Sequence, residues 1–86
     1  MKVTYVVDVV KQAVKEYRDI PESEKRRVKE AILSLEHNPR GPQVKKLSGR
    51  DYYRLRSGDW RIFFTLSDKL KRVTVLSLER RSSTTY

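Results

Sequence analysis

The chain has 86 residues, with 20 Lys/Arg against 11 Asp/Glu, a net charge of +9 and no cysteine. That length allows one domain, expected over residues 1–86, with a modest core and a thin stability margin. Disulfides and thiolate metal sites are excluded, no apolar run approaches the roughly 20 residues of a membrane span, and Met1 to Val7 is too short for a signal peptide before Asp8. A soluble, cytoplasmic protein is expected.

Residues 2–7 are β-branched and aromatic and suit a first strand. Asp8 is placed to cap a helix in which Val10, Ala13, Val14 and Tyr17 form one apolar stripe. Asp19-Ile20-Pro21-Glu22 marks a break and a restart, with Pro21 in a first turn beside acidic Glu22 and Glu24. Val28, Ala31, Ile32 and Leu35 repeat the helical spacing until Asn38-Pro39-Arg40-Gly41-Pro42 forces a loop. From Tyr52 the period changes to two. Tyr53 and Leu55 alternate with Arg54 and Arg56, and Trp60, Ile62, Phe64 and Leu66 alternate with Arg61, Phe63 and Thr65. Ser57-Gly58-Asp59 supplies the turn between these strands. Val73 to Leu78 makes a last strand, and residues 79–86 read as a polar tail. The expected order is β-α-α-β-β-β, an α+β domain with a helical hairpin packed on one face of an antiparallel sheet.

Charge is uneven. Residues 1–42 hold nine Lys/Arg against seven Asp/Glu, and residues 43–86 hold eleven against four. A polyanion is the expected partner of the second half. Strand alternation puts Arg54 and Arg56 on the face away from the helices, where the hairpin also brings Arg61. Arg80 is expected to leave the last strand nearby. Four guanidiniums on one concave surface, with Phe63 and Tyr86 beside them, suit a phosphate and a stacked base. The competing reading, a solvated face balanced by Asp51 and Asp59, has too few acids for four arginines. Lys45 and Lys46 are placed to extend the phosphate track.

Other enzyme templates fail. His37 is the only histidine and falls near a helix end, where it faces solvent or caps. There is no Cys-His nucleophile, no zinc set and no glycine-rich phosphate loop, since Gly41, Gly49 and Gly58 are isolated. No acid pair stands out as a magnesium site, so any nuclease chemistry would have to be metal-free, through positioning and charge stabilisation. Lys25-Arg26-Arg27 with Lys29 lies among Glu22, Glu24 and Glu30 and reads as an exposed helical face with ion pairs. Ser82 to Thr85 have no neighbouring base and read as tail.

The helical hairpin, the loop Val44 to Gly49, the segment Tyr53-Arg54-Leu55-Arg56-Ser57-Gly58-Asp59-Trp60-Arg61-Ile62-Phe63-Phe64 and the last strand with its arginine and distal tyrosine resemble the RelE/ParE superfamily of toxins. The resemblance covers almost the whole chain and implies the RelE-like microbial ribonuclease fold. Its RelE-like branch cleaves messenger RNA in the ribosomal A site; its ParE-like branch poisons DNA gyrase. The catalytic set of the first branch, carried over by position, falls on Arg54, Arg56, Arg61, Arg80 and Tyr86. The spacing from Arg80 to Tyr86 matches the ribosome-dependent type. Where the best-known members have two lysines, this chain has Arg54 and Arg56, which stay charged and cannot serve as a base. The resemblance implies attack by the ribose 2′-hydroxyl on the adjacent phosphate. Arg61 and Arg56 would clamp that phosphate, Arg80 would donate to the departing 5′-oxygen, and Tyr86 would stack or assist deprotonation with help from Arg54. Lys45, Lys46, Phe63 and Arg81 are expected to touch RNA or ribosome. No metal or cofactor is implied, and the implied partner is a RelB-like antitoxin.

Overall fold

A computed structural model describes residues 4–47, 49 and 51–80. The elements are β1 (Val6–Val9), α1 (Lys11–Arg18), α2 (Glu22–Ser34), β2 (Val44–Lys46), β3 (Tyr52–Ser57), β4 (Trp60–Ser67) and β5 (Arg72–Arg80). Helices this short are marginal alone, and burial of an apolar stripe holds them. Ala13 of α1, Val28 and Ile32 of α2 and Leu35 just beyond it are buried. Val10, Tyr17 and Ala31 pack at the margin of the same core. The helices cover one face of the sheet, against Tyr53, Leu55, Ile62, Phe64, Leu66, Val73, Val75 and Leu78. The Tyr53 and Phe64 rings stack there with centroids 5.5 Å apart.

The strand order is β1-β5-β4-β3-β2. The antiparallel meander β3-β4-β5 is as the period-two segments predict. The pairing of the outer strands differs from the sequence reading. Val44–Lys46 is a fifth strand, antiparallel to β3, where a loop was expected. A run of three residues is too short for periodicity to reveal. β1 pairs with β5 in parallel, from Val6 opposite Arg72 to Val9 opposite Val75, so the sheet is mixed. Asp8 therefore lies inside β1, ion-paired with Arg72, and does not cap α1. Val10 takes the N-cap position without a side-chain hydrogen bond.

The meander contains one irregularity. Phe63 pairs with Ser77 but Phe64 pairs with Val75, so Leu76 is an extra residue in β5. Such a bulge reverses the alternation beyond it. Val73 and Val75 point to the helices before it; Leu78 does so after it. β5 also runs to Arg80, so Glu79 and Arg80 belong to a strand and not to the tail. β1 ends beside Val75, and α1 takes over there. Leu78 N–H donates to Glu16 Oε1 at 2.8 Å in place of a strand partner.

Two local devices fix the ends of the meander. Gly58 opens the two-residue loop between β3 and β4 at φ +60°, the first central position that a II′ hairpin turn reserves for glycine. At the other end Arg40 donates twice to Asp68, at 3.0 and 2.7 Å, and Tyr5 Oη donates to the same carboxylate at 2.8 Å. This ties the start of the chain and the loop after α2 to the β4–β5 turn. Arg40, then Tyr5, hold the Asp68 carboxyl below its ordinary value, at about 2.

Gly58→Ala is expected to cost about 1–2 kcal/mol in urea denaturation, because an L side chain is strained at that φ. The Arg27 guanidinium, 2.9 Å from the added Cβ, must also move. Because the Asp68 pKa is depressed, its stabilisation is present above the unfolded-state value near 3.9 and is lost as pH falls towards 2. Asp68→Asn is expected to flatten that part of the stability–pH curve, read as Tm between pH 5 and 2.

Candidate nucleic-acid interface

The face of the sheet away from the helices is laid out by cross-strand register. Nearest the β3–β4 turn, Arg56 lies directly opposite Arg61, which lies opposite Glu79. The next row runs Lys45, Arg54, Phe63, Ser77. The third runs Tyr52, Thr65, Thr74, Asp8. Facing residues have Cβ atoms about 4.5–5.5 Å apart. Arg54 and Arg61 are half-buried, while Lys45 and Arg56 are exposed. None of these four cations forms an ion pair with a described residue. The Tyr52 and Phe63 rings stack beside them, centroids 6.1 Å apart and planes 19° apart. Guanidiniums that bind phosphate bidentately, next to a flat aromatic surface that takes a base, form a surface suited to single-stranded nucleic acid.

Arg54, Arg56, Arg61 and Phe63 thus share one face, as the alternation predicts, and β2 adds Lys45 to it. Two expected members do not. Lys46 lies opposite Tyr53, a residue turned to the helices, so the phosphate track continues through Lys45 alone. Arg80 lies opposite Trp60 and not on the Arg61 side. Its guanidinium is 3.5 Å from Glu24 Oε2 of α2 and 5.8 Å from the centre of the Trp60 ring. Trp60 Nε1 donates to the other Glu24 oxygen at 2.7 Å. The cause is the extra residue Leu76. An unbroken alternation from Val73 and Val75 would turn Arg80 outward; the bulge turns it inward and turns Glu79 out instead. The described residues therefore do not build a pocket of four guanidiniums. Arg81 and Tyr86 lie outside the described residues. His37 is exposed just past α2.

Sequence reasoning missed Tyr52 and Glu79. Tyr52 is in phase with Arg54 and Arg56, which is the signal that places it on the open face. For Glu79 the signal is the apolar spacing of β5. Val73 and Val75 are two apart and Leu78 follows at three, which marks the phase change.

Like charges directly opposite each other weaken strand pairing by a few tenths to about 1 kcal/mol. Arg61→Gln removes the like-charge pair with Arg56 together with the opposite-charge pair with Glu79, so the domain is expected to stay folded, with its stability by urea denaturation changed by less than about 1 kcal/mol. The same change should weaken binding of a short single-stranded RNA and reduce the slope of log K against log salt by about 0.7.

Comparison with known proteins identifies the family and the fold. Residues 7–84 match the family model described as the ParE toxin of the type II toxin–antitoxin system parDE. A chain of the archaeal RelE–RelB complex from Pyrococcus horikoshii OT3 superposes with a TM-score of 0.81 at 35% identity, covering 94% of this chain and 99% of that one. A chain of the intact RelBE toxin–antitoxin complex from E. coli gives 0.75 at 25% identity, with 91% and 98% covered. The isolated E. coli RelE toxin gives 0.80 at 21% identity, with 93% and 87% covered, a likeness of fold alone. No match is found among curated proteins. A family model spanning nearly the whole sequence, together with a structural relative at 35% identity, shows that the chain belongs to the RelE/ParE superfamily of toxins of type II toxin–antitoxin systems.

Proposed function

We propose that this toxin is a ribosome-dependent endoribonuclease that cleaves messenger RNA in the ribosomal A site and so stops translation. The observation that carries this reading is the pair Arg56 and Arg61 on directly opposed strand positions, with Arg54 and Lys45 in the adjoining row and the Tyr52–Phe63 stack on the same face. Unpaired like charges set side by side are a cost to folding, and an anion between them removes that cost. A scissile phosphate is such an anion.

The reaction is the metal-free attack of a ribose 2′-hydroxyl on the adjacent phosphate, giving a 2′,3′-cyclic phosphate and a 5′-hydroxyl end. Arg61 and Arg56 stabilise the charge that builds on the phosphorane-like transition state. Arg54 and Lys45 hold the flanking backbone, and the aromatic pair stacks a base. Tyr86 and Arg81 would add to this surface from beyond the described residues. Arg80 does not belong to the clamp in this reading. It pins the corner of the sheet to α2 through Glu24 and Trp60. A site of this kind gains most from a substrate already held bent, which the ribosome supplies. The structural relative from Pyrococcus horikoshii lies in a complex with RelB. A RelB-like antitoxin is the corresponding partner here, and an acidic one is attracted by the net charge of +9. Cytoplasmic action follows from a ribosomal target.

A second reading, a ParE-like inhibitor of DNA gyrase without nuclease activity, is favoured by one observation. Arg80 faces the helices, so the full basic set implied by the resemblance is not assembled on one face. The two readings separate cleanly. Purified toxin on programmed ribosomes should yield cyclic-phosphate ends, with Arg61→Ala about 10²–10³ slower in single turnover and still folded. Intact message on ribosomes, together with DNA damage after a pulse of expression, would instead establish the gyrase reading.

A further inference from the structure

We propose that Glu79 is the general base of the cleavage reaction. The inference rests on the nuclease reading. Attack by a 2′-hydroxyl needs a group that takes its proton, and no arginine of the open face can do so. The extra residue Leu76 turns Glu79 out onto this face directly opposite Arg61, with Arg56 one strand further on. Glu79 is exposed and makes no ion pair or side-chain hydrogen bond with a described residue. Asp8, the other strand carboxylate on the open face, is tied to Arg72. Asp51 and Asp59 lie outside the strands. Among the described residues, Glu79 is thus the carboxylate that the register sets in the arginine row.

Among the described residues, the groups facing it are few. Arg61 stands opposite on β4, Phe63 lies in the adjoining row, and Ser77 precedes it on the same face of β5. β1 contributes nothing at this level, because it ends beside Val75. Glu16 of α1 is engaged by Leu78 N–H, one residue away. Neighbouring strands are about 4.8 Å apart. A linkage clamped by Arg56 and Arg61, with its ribose towards β5, brings the 2′-hydroxyl within hydrogen-bond reach of the carboxylate.

The Glu79 carboxylate takes the 2′-hydroxyl proton, and the 2′-oxygen forms a bond to phosphorus. The bond from phosphorus to the 5′-oxygen breaks, and its electron pair stays on that oxygen. The oxygen takes a proton from water, and Glu79 returns its own proton to the hydroxide left behind. The guanidiniums of Arg56 and Arg61 remain charged throughout.

The test compares wild type, Glu79→Gln and Glu79→Asp on programmed ribosomes, reading single-turnover rate against pH and ribosome affinity in parallel. Glu79→Gln is expected to slow cleavage about 10²–10⁴-fold, with affinity unchanged or tighter because a negative charge leaves a basic face. The acid limb of the wild-type pH–rate profile should be missing from that of Glu79→Gln. Glu79→Asp should restore part of both the rate and its pH dependence. A wild type that cleaves while Glu79→Gln stays within about threefold of it overturns the assignment. So does a loss of affinity that accounts for the whole loss of rate. A wild type that leaves no cyclic-phosphate ends overturns the nuclease reading, and the role of Glu79 with it.

Discussion

Side chains along a β-strand alternate with a period of two, so a single inserted residue exchanges the two faces of everything beyond it. In this toxin that residue is Leu76. Before it, β5 gives Val73 and Val75 to the core; after it, the core receives Leu78, and the last two residues change places. Arg80 is carried inward to Glu24 and Trp60, and Glu79 is carried outward to Arg61. The charge pattern of the open face follows from this one bulge. A surface of arginines alone would bind a phosphate and hold it. A carboxylate in the same row is the group that, in the proposed reaction, takes the proton the arginines cannot take.

The opposite face explains why the open one is free to carry so much charge. Among the described residues, the buried core lies between the helices and the sheet, with Ala13, Ile20, Val28, Ile32 and Leu35 over eight sheet residues and Tyr5 beside them. Among the described residues, no polar or charged residue is buried. Stability is supplied there and at the two turns, by Gly58 at one end and by the Tyr5–Asp68–Arg40 network at the other. The open face is left with like charges on opposed strands, a local conflict of the kind that marks binding surfaces.

Much of this was legible in the sequence because the relevant periods are long and regular. The stripes at Val10 to Tyr17 and Val28 to Leu35 give the two helices, and the alternation through Tyr53 to Leu66 gives two strands and the arginine face. What was not legible depends on pairings that no local pattern carries. The three residues of β2 become a strand only because Leu55, Arg54 and Tyr53 stand opposite. Asp8 resembles a helix cap until β1 is seen to pair with β5, which is distant in sequence and reached only through the folded sheet. Arg80 was expected beside Arg61 and Glu79 was left in the tail, because their sides are set by an irregularity in pairing with Phe63 and Phe64, visible in sequence only as one apolar spacing of three.

The most direct measurement is the structure of the toxin on a ribosome carrying a message with a 2′-deoxynucleotide at the cleaved position, which binds but cannot react. The scissile phosphate is expected between Arg56 and Arg61 on the open face, with the sugar turned to Glu79. A phosphate seated instead on the helix side, against Arg80 and Trp60, would contradict the assignment of the site.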